Sequence, residues 1–407
     1  MVPSDWKTLS LGEITKEKIS YGIVQAGPHV ENGVPYIKSS NVGGEIKIED
    51  LQRTSSEIHH KYRRSAVHPN DIVFSLRGNI GRTSIVPPEL LEANLTQGTA
   101  RISVNTKNET NFVYYSLAST PILNRINSLS KGSTFKEISL EELRKVKLPI
   151  PPLPEQQKIA NILSTWDKAI STTERLIENS TQQKKALMQQ LMTGKKRLLD
   201  ESGQRFKNEW EEIDFGDCIE HKGGTALEKY VMESAKHHFI SIGNYSVDGR
   251  YIDKGQRIEL NDNTKAKLLD KNDLVMVLND KTKTGDIIGS TILINENNKY
   301  IYNQRSERII CSKDIDVLFF WFLLNSTPVR AEVFSRSQGG TQIYVNFGAL
   351  KSITLYLPSL KEQQKIATVL TNADKEIELL KQQLADLQQE KKALMQVLLT
   401  GKKRVLA

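Results

Sequence analysis

Glu155-Gln-Gln-Lys-Ile-Ala160, Lys184-Lys-Ala-Leu-Met-Gln189 and Thr193-Gly-Lys-Lys-Arg197 punctuate one stretch of the chain, and that stretch occurs twice. The same three blocks return at Glu362–Ala367, Lys391–Gln396 and Thr400–Arg404, each displaced by 207 residues with nothing inserted or lost between them. Such spacing, once mid-chain and once at the end, reads as two copies of one plan. In the first copy apolar or tolerated residues fall at Ile159, Leu163, Trp166, Ile170, Thr173, Ile177, Ser180, Lys184, Leu187 and Leu191. In the second they are Ile366, Leu370, Ala373, Ile377, Leu380, Leu384, Leu387, Lys391, Leu394 and Leu398. Alternating steps of four and three are the heptad seam of a coiled coil. At 1.5 Å per residue, about 40 residues make a rod of roughly 60 Å. Gly194 and Gly401, each followed by Lys-Lys-Arg, suit helix ends, with glycine past the last turn and cations on the negative pole.

On either side of the first copy lie two globular stretches. Residues 1–147 carry short β-branched and aromatic runs between Gly, Pro and Asn: Val34–Lys38, Asp71–Leu76, Thr83–Val86 and Ala100–Val104 read as strands. Asn111–Leu117 and Ser139–Val146 read as helices, the second opened by Ser139 with Glu141 and Glu142 in its first turn. Leu148-Pro-Ile-Pro-Pro-Leu-Pro154 reads as a stiff connector that cannot continue a helix. Residues 199–356 replay the first stretch. Tyr36-Ile37-x3-Asn41 is echoed by Phe239-Ile240-x3-Asn244, Asn70-Asp71 by Asn272-Asp273, and Ser130-x-Gly132-x-Thr134 by Ser337-x-Gly339-x-Thr341. Scaffold positions are kept while loops differ, as when one fold serves two targets. The domains expected are thus 1–147, a helix over 148–198, 199–354, and a second helix over 355–407.

Connectivity sets the helix geometry. The first helix leaves one globular domain for the other, and the second, of equal length, returns, so an antiparallel pair is expected. Symmetric pairing puts Trp166 opposite Lys391 and Ala373 opposite Lys184. The ring face of Trp166 would then receive Lys391, and Ala373 would leave room for the stem of Lys184.

The 407-residue chain is long enough for two or three domains with cores of their own. Its apolar runs are too short to cross a bilayer and Met1–Lys7 has no signal-peptide form, so a cytoplasmic location away from membranes is expected. Cys218 and Cys311 are the only cysteines and have no metal-ligand spacing, so neither a disulfide framework nor a metal site is expected. A net charge of +8 favours an anionic partner, nucleic acid first. No phosphate loop, amino-methyltransferase motif, nuclease motif or His-Glu-x-x-His is present, which suits a targeting protein with no catalytic residues of its own.

The order domain, helix, domain, helix, with Leu148-Pro-Ile-Pro-Pro-Leu-Pro-Glu-Gln-Gln-Lys-Ile-Ala160, its copy Leu357-Pro-Ser-Leu-Lys-Glu-Gln-Gln-Lys-Ile-Ala367, and Asp71-Ile-Val-Phe-Ser-Leu-Arg-Gly-Asn-Ile-Gly81, resembles the specificity subunit of type I restriction-modification enzymes over the whole chain. The resemblance implies an α+β protein: two mixed α/β target recognition domains joined by two long helices in an antiparallel, pseudo-twofold coiled coil. It implies a non-catalytic subunit in which each domain reads one half of a split double-stranded DNA site. The helices would set the spacer and dock two methyltransferase subunits, with two motor-nuclease subunits outside. S-adenosylmethionine, ATP and Mg would reside on those partners. The second domain departs from the Ser-Leu-Arg-Gly pattern, having Val277-Leu278-Asn279-Asp280-Lys281. A coiled-coil scaffold with two protein-binding domains is the competing reading, and the basic charge argues modestly against it.

Three groups of residues are candidate DNA contacts. Arg77, Asn79 and Arg82 offer two guanidiniums and an amide, groups that pair with guanine and adenine edges, though Asn79 and the neighbouring glycines also suit a plain turn. Lys131, Ser133, Thr134 and Lys136, with Gln338, Thr341, Gln342 and Tyr344 in the copy, form Gly-rich loops able to approach a phosphate, or equally structural turns before a helix. Lys61, Arg63 and Arg64, and Asn279, Lys281 and Lys283, are basic clusters suited to phosphates or simply to a solvated face. On the helices, Gln156, Gln157, Lys185 and Gln189 match Gln363, Gln364, Lys392 and Gln396. These outer identities are not required by the seam and read as docking surfaces for like partners.

Overall fold

The computed structural model describes residues 3–132 and 136–405. The chain divides into two compact units, residues 1–175 with 382–407, and residues 176–381. Each unit holds one globular domain, the root of the long helix that follows it, and the tail of the other long helix. The fold class is α+β.

In the first unit, Lys7–Ser10 pairs antiparallel with Lys147–Ile150, Leu9 opposite Leu148. Residues 148–150 therefore belong to the globular domain rather than to a free connector. The long helix Leu153–Met192 starts two residues earlier than Glu155, with Pro154 in the first turn, where a missing N–H costs nothing. A four-stranded antiparallel sheet runs Ser20–Tyr21, Thr99–Ile102, Ile72–Ser75, Thr83–Ile85. The central strand is apolar without alternation because both its faces are covered: Ile72 and Phe74 join one core cluster, Val73 another. The helices Thr110–Ala118 and Leu140–Lys145 form where expected, and the Ser139 side chain accepts the Glu142 N–H to cap the second.

The second unit repeats this plan. Glu211–Asp214 pairs with Thr354–Leu357, and a four-stranded sheet runs Ile219–Gly223, Ser306–Cys311, Leu274–Val277, Thr291–Leu293. Leu274 and Met276 face one cluster and Val275 and Val277 another. Thr354–Leu357 crosses the expected 354/355 boundary, so the strand entering the second long helix, Leu360–Leu398, is part of this domain.

Each long helix is sewn into a globular core. Ile159, Ala160 and Leu163 from the root of the first helix, and Leu398 and Leu399 from the tail of the second, are buried with Trp6 and Phe112 in the first unit. Ile366, Ala367 and Leu370 are buried with Leu191 and Met192 in the second. All twenty seam positions are buried or half-buried.

The helix segments within each unit run antiparallel. In the first, Glu155 accepts Arg404 Nε at 2.8 Å and Asp167 meets Lys391. In the second, Lys184 meets Asp374 at 2.6 Å and Arg197 Nε donates to Glu362 at 2.6 Å. The expected cation–ring contact is corrected: the ammonium groups of Lys391 and Lys184 meet the carboxylates of Asp167 and Asp374, each one residue along from Trp166 and Ala373. The rings over the two ammonium groups come from the globular domains, Tyr115 with its centroid 5.3 Å from Lys391 Nζ and Phe322 with its centroid 5.4 Å from Lys184 Nζ. A carboxylate pairs with a half-buried ammonium more strongly than an indole face does. Gly194 and Gly401 end the helices in the left-handed conformation, φ 67° and 72°. Arg197 and Arg404 do not simply sit at the negative pole; each turns back to the first-turn glutamate of the other long helix.

Candidate nucleic-acid interface

Two groups that lie far apart in the sequence meet in the first domain. The strand Ile72–Ser75 runs out into the Arg77 turn, where Gly78 and Gly81 take left-handed backbone conformations at φ 72° and 83°. Beyond it Ile138 N–H donates to the Leu76 carbonyl at 3.1 Å, Arg77 bridges to Glu137, and Glu137 bridges to Lys131. The Arg77 turn and the Lys131–Lys136 loop are thus neighbours. Arg77 Nη2 lies 3.5 Å from Glu137 Oε1, while Asn79, Arg82, Lys131 and Lys136 are exposed with no side-chain hydrogen bond or ion pair among the described residues. The glycines shape the turn, and the Asn79 amide stands exposed beside them. Ser133 and Thr134 lie outside the described residues.

The second domain makes the same junction with different side chains. Val345 N–H donates to the Leu278 carbonyl at 2.9 Å, Asn279 pairs with Tyr344, and Gln338 bridges to Tyr344. Gly339, at φ 103°, matches Gly132 at φ 107°, and a Cβ on Gly339 would lie 2.1 Å from the Gln342 carbonyl oxygen. Gln338, Thr341, Gln342 and Tyr344 are exposed, with the Tyr344 hydroxyl 3.2 Å from Gln338 Oε1. Asn279 is half-buried; Lys281 and Lys283 are exposed on the loop that follows. That loop is held from inside by Asp280, which accepts N–H groups from Thr282 at 2.8 Å and Ile287 at 2.9 Å. Burial pushes the Asp280 carboxyl up, but these bonds outweigh it and hold it below the usual aspartate value.

Equivalent backbone positions carry exchanged chemistry. Leu76 N–H donates to the Gly98 carbonyl and Leu278 N–H to the Arg305 carbonyl, so Arg305 stands where the first domain has Gly98. In the first domain Arg77 packs over Gly98, where a Cβ would come 3.3 Å from Arg77 Cγ. In the second, Asn279 replaces Arg77 and the arginine lies in the turn just before the strand Ser306–Cys311. Arg305 was not singled out from the sequence, although Gln304 and Arg308 beside it repeat the spacing of Gln97 and Arg101. Lys61, Arg63 and Arg64 are exposed at the end of helix Ser56–Lys61 and in the turn after it. The structure does not join them to the Arg77 turn.

On the helices, Gln157, Lys185, Gln189, Gln364, Lys392 and Gln396 are exposed. Gln156 and Gln363 are not on the outer face, and their expected place on it is corrected: they are 1% and 2% exposed. Gln156 accepts the Glu109 N–H at 2.8 Å and donates to the Pro151 carbonyl at 2.9 Å; Gln363 does the same with Asp316 N–H and Pro358 at 2.9 Å each. Each pins a helix root to its own domain. No group of three or more His, Cys, Asp or Glu among the described residues is placed to hold a metal, and no helix there is long and apolar enough to cross a membrane.

A sequence model of the type I restriction modification DNA specificity domain matches residues 3–180 and again 207–389. The chain belongs to that family. Among its relatives, the MjaVIII specificity subunit of Methanocaldococcus jannaschii is 26% identical across 99% of this chain and 94% of its own length. The EcoBI specificity subunit of Escherichia coli is 28% identical over 47% of this chain and 41% of its own. The S subunit of M. genitalium has the same fold, with a TM-score of 0.59 at 18% identity, covering 98% of this chain and 96% of that one. The HsdS subunit of Thermoanaerobacter tengcongensis gives 0.53 at 16% identity over 99% and 98% of the two chains. The two family matches fall one on each globular domain with the helix that follows it. Membership makes this a DNA-recognition chain of a type I restriction-modification system, and the scaffold reading is not favoured.

Proposed function

We propose that each globular domain reads one half of a bipartite DNA site at its loop junction. The observation that carries this is the repeated junction with unlike side chains: Arg77, Asn79 and Glu137 in one domain, Asn279, Arg305 and Tyr344 in the other. One backbone frame with two chemistries gives an asymmetric site. Arginine and asparagine are suited to guanine and adenine edges, and the exposed lysines to phosphates.

The long helices, of 40 and 39 residues, serve as the spacer. Half-sites read from one side of the duplex have centres about one helical turn apart, roughly 10 base pairs. The exposed Gln157, Lys185 and Gln189, with Gln364, Lys392 and Gln396, offer like surfaces to two methyltransferase subunits, and two motor-nuclease subunits complete the complex in the cytoplasm. S-adenosylmethionine, ATP and Mg act on those partners. Specific binding by the chain with its methyltransferase partner tests the reading: Arg77→Ala should lose discrimination at one base pair by about 1–3 kcal/mol and leave the other half-site untouched. Equal relaxation of both half-sites contradicts it.

A further inference from the structure

One concavity of the first domain is separate from the Arg77 junction. It encloses about 410 Å³ and is lined by Lys18, Arg64, Arg101 and Arg144 against a single carboxylate, Glu17. Glu17 is already committed to Arg101, which is only 6% exposed and also donates to the Ala66 carbonyl. Arg144 donates through Nη2 to the Ile19 carbonyl, yet its Nε is sealed from solvent and has no partner among the described residues. Lys18 and Arg64 are exposed and form no ion pair among the described residues. Converging cations with an unmet buried donor suit an anionic group.

The second domain does not build this site. Ser20 pairs with Arg101 in the first sheet and Lys222 with Arg308 in the second, so Lys18 corresponds to Glu220. Arg308 is paired with Asp273 at 2.8 Å much as Arg101 is with Glu17, so the difference lies at Lys18, where the second domain carries a carboxylate. The cationic pocket is therefore a property of one domain and not of the shared scaffold.

We propose that this pocket takes one phosphodiester of the DNA backbone beside the first half-site, a proposal that rests on the half-site reading above. Position favours DNA over a free anion. Arg101 lies two residues along its strand from Thr99, whose partner Ser75 leads into the Arg77 turn, a step of about 7 Å. Phosphates recur every 3.4 Å of axis along each DNA strand, so one falls within reach of the pocket while the turn meets base edges. Guanidiniums grip phosphate through paired N–H groups, and the contact carries no sequence information.

The test uses the full chain with its methyltransferase partner and the double variant Lys18→Ala/Arg64→Ala, which spares the buried arginines. Binding should weaken by the same factor on cognate and non-cognate DNA, and the slope of log affinity against log salt should fall by about 0.9. Neutral methylphosphonates placed singly along the duplex should find one position that weakens the unaltered complex and leaves the variant unaffected. An unchanged slope with sequence-specific binding retained overturns the pocket and leaves the half-site reading standing. Absence of specific binding by the unaltered complex overturns both. If inorganic phosphate binds the unaltered chain and is lost in the variant, while no methylphosphonate position distinguishes the two, the pocket holds a free anion and the proposal fails.

Discussion

Gln156 and Gln363 keep one identity 207 residues apart because each closes the same hydrogen bonds between a helix root and its own domain. Their repetition was legible in the sequence; their direction was not, since it depends on loop backbone at 109 and 316 reaching the helix. Gln156→Leu should leave a buried N–H and carbonyl unpaired and cost about 1–3 kcal/mol, measurable as a lower urea midpoint of the first unit. Other echoes have residue-level causes too. Asn70 and Asn272 hold left-handed turns at φ 70° and 74°, and the Asn41 and Asn244 side chains accept the N–H groups of Lys38 and Ser241. Arg305 escaped sequence reading because between the domains the arginine moved from the turn after Leu76 to the turn before the strand Ser306–Cys311. Arg305→Ala should relax one base position of the second half-site alone, checked by binding to DNA randomised at each position. Glu155 supplies a pH test. Burial raises its carboxyl, but Arg404, the Val405 N–H and the Trp6 indole together hold it below 4.5. A depressed folded pKa gives stability that is complete above the ordinary glutamate value and is lost as pH falls through the folded value. The melting temperatures of the native chain and Glu155→Gln should therefore differ at pH 7 and converge well below pH 4.5.

The two long helices were the most legible elements, because a strict heptad leaves little choice of structure and a duplicated heptad fixes which faces are alike. The lysines at 184 and 391 looked like faults in the seam. They mark register, but through Asp374 and Asp167, residues that flank the seam and gave no periodic signal. The two layers also differ in depth. Asp374 is 16% exposed and accepts Arg250 Nη2 at 2.6 Å as well as Lys184, whereas Asp167 is 43% exposed and accepts the Tyr115 hydroxyl at 2.6 Å. Asp374→Ala should accordingly cost about 2 kcal/mol and Asp167→Ala less, compared by urea unfolding of the two variants. The connectors were misread for a related reason. Pro149 looks like a strand breaker, but it lies on a two-stranded edge opposite Thr8, where the missing N–H leaves no ladder gap that matters.

At the scale of the whole chain, the duplication, the fold class and the family were all legible, because they rest on spacing that survives divergence. The reading junctions were not, because loops distant in sequence meet only after each sheet has formed. Both domains place their loops on one backbone frame, so specificity and spacing should be separable. Inserting one heptad into both long helices should lengthen the unread spacer and leave both half-sites unchanged, as read from the bound DNA motif. The most direct measurement maps methylated adenines genome-wide in cells carrying the native complex and in cells carrying Arg77→Ala. The native motif should be bipartite, and the variant should relax one half only, at the same spacer. A continuous motif, or one altered in both halves by Arg77→Ala, would contradict two independent readers.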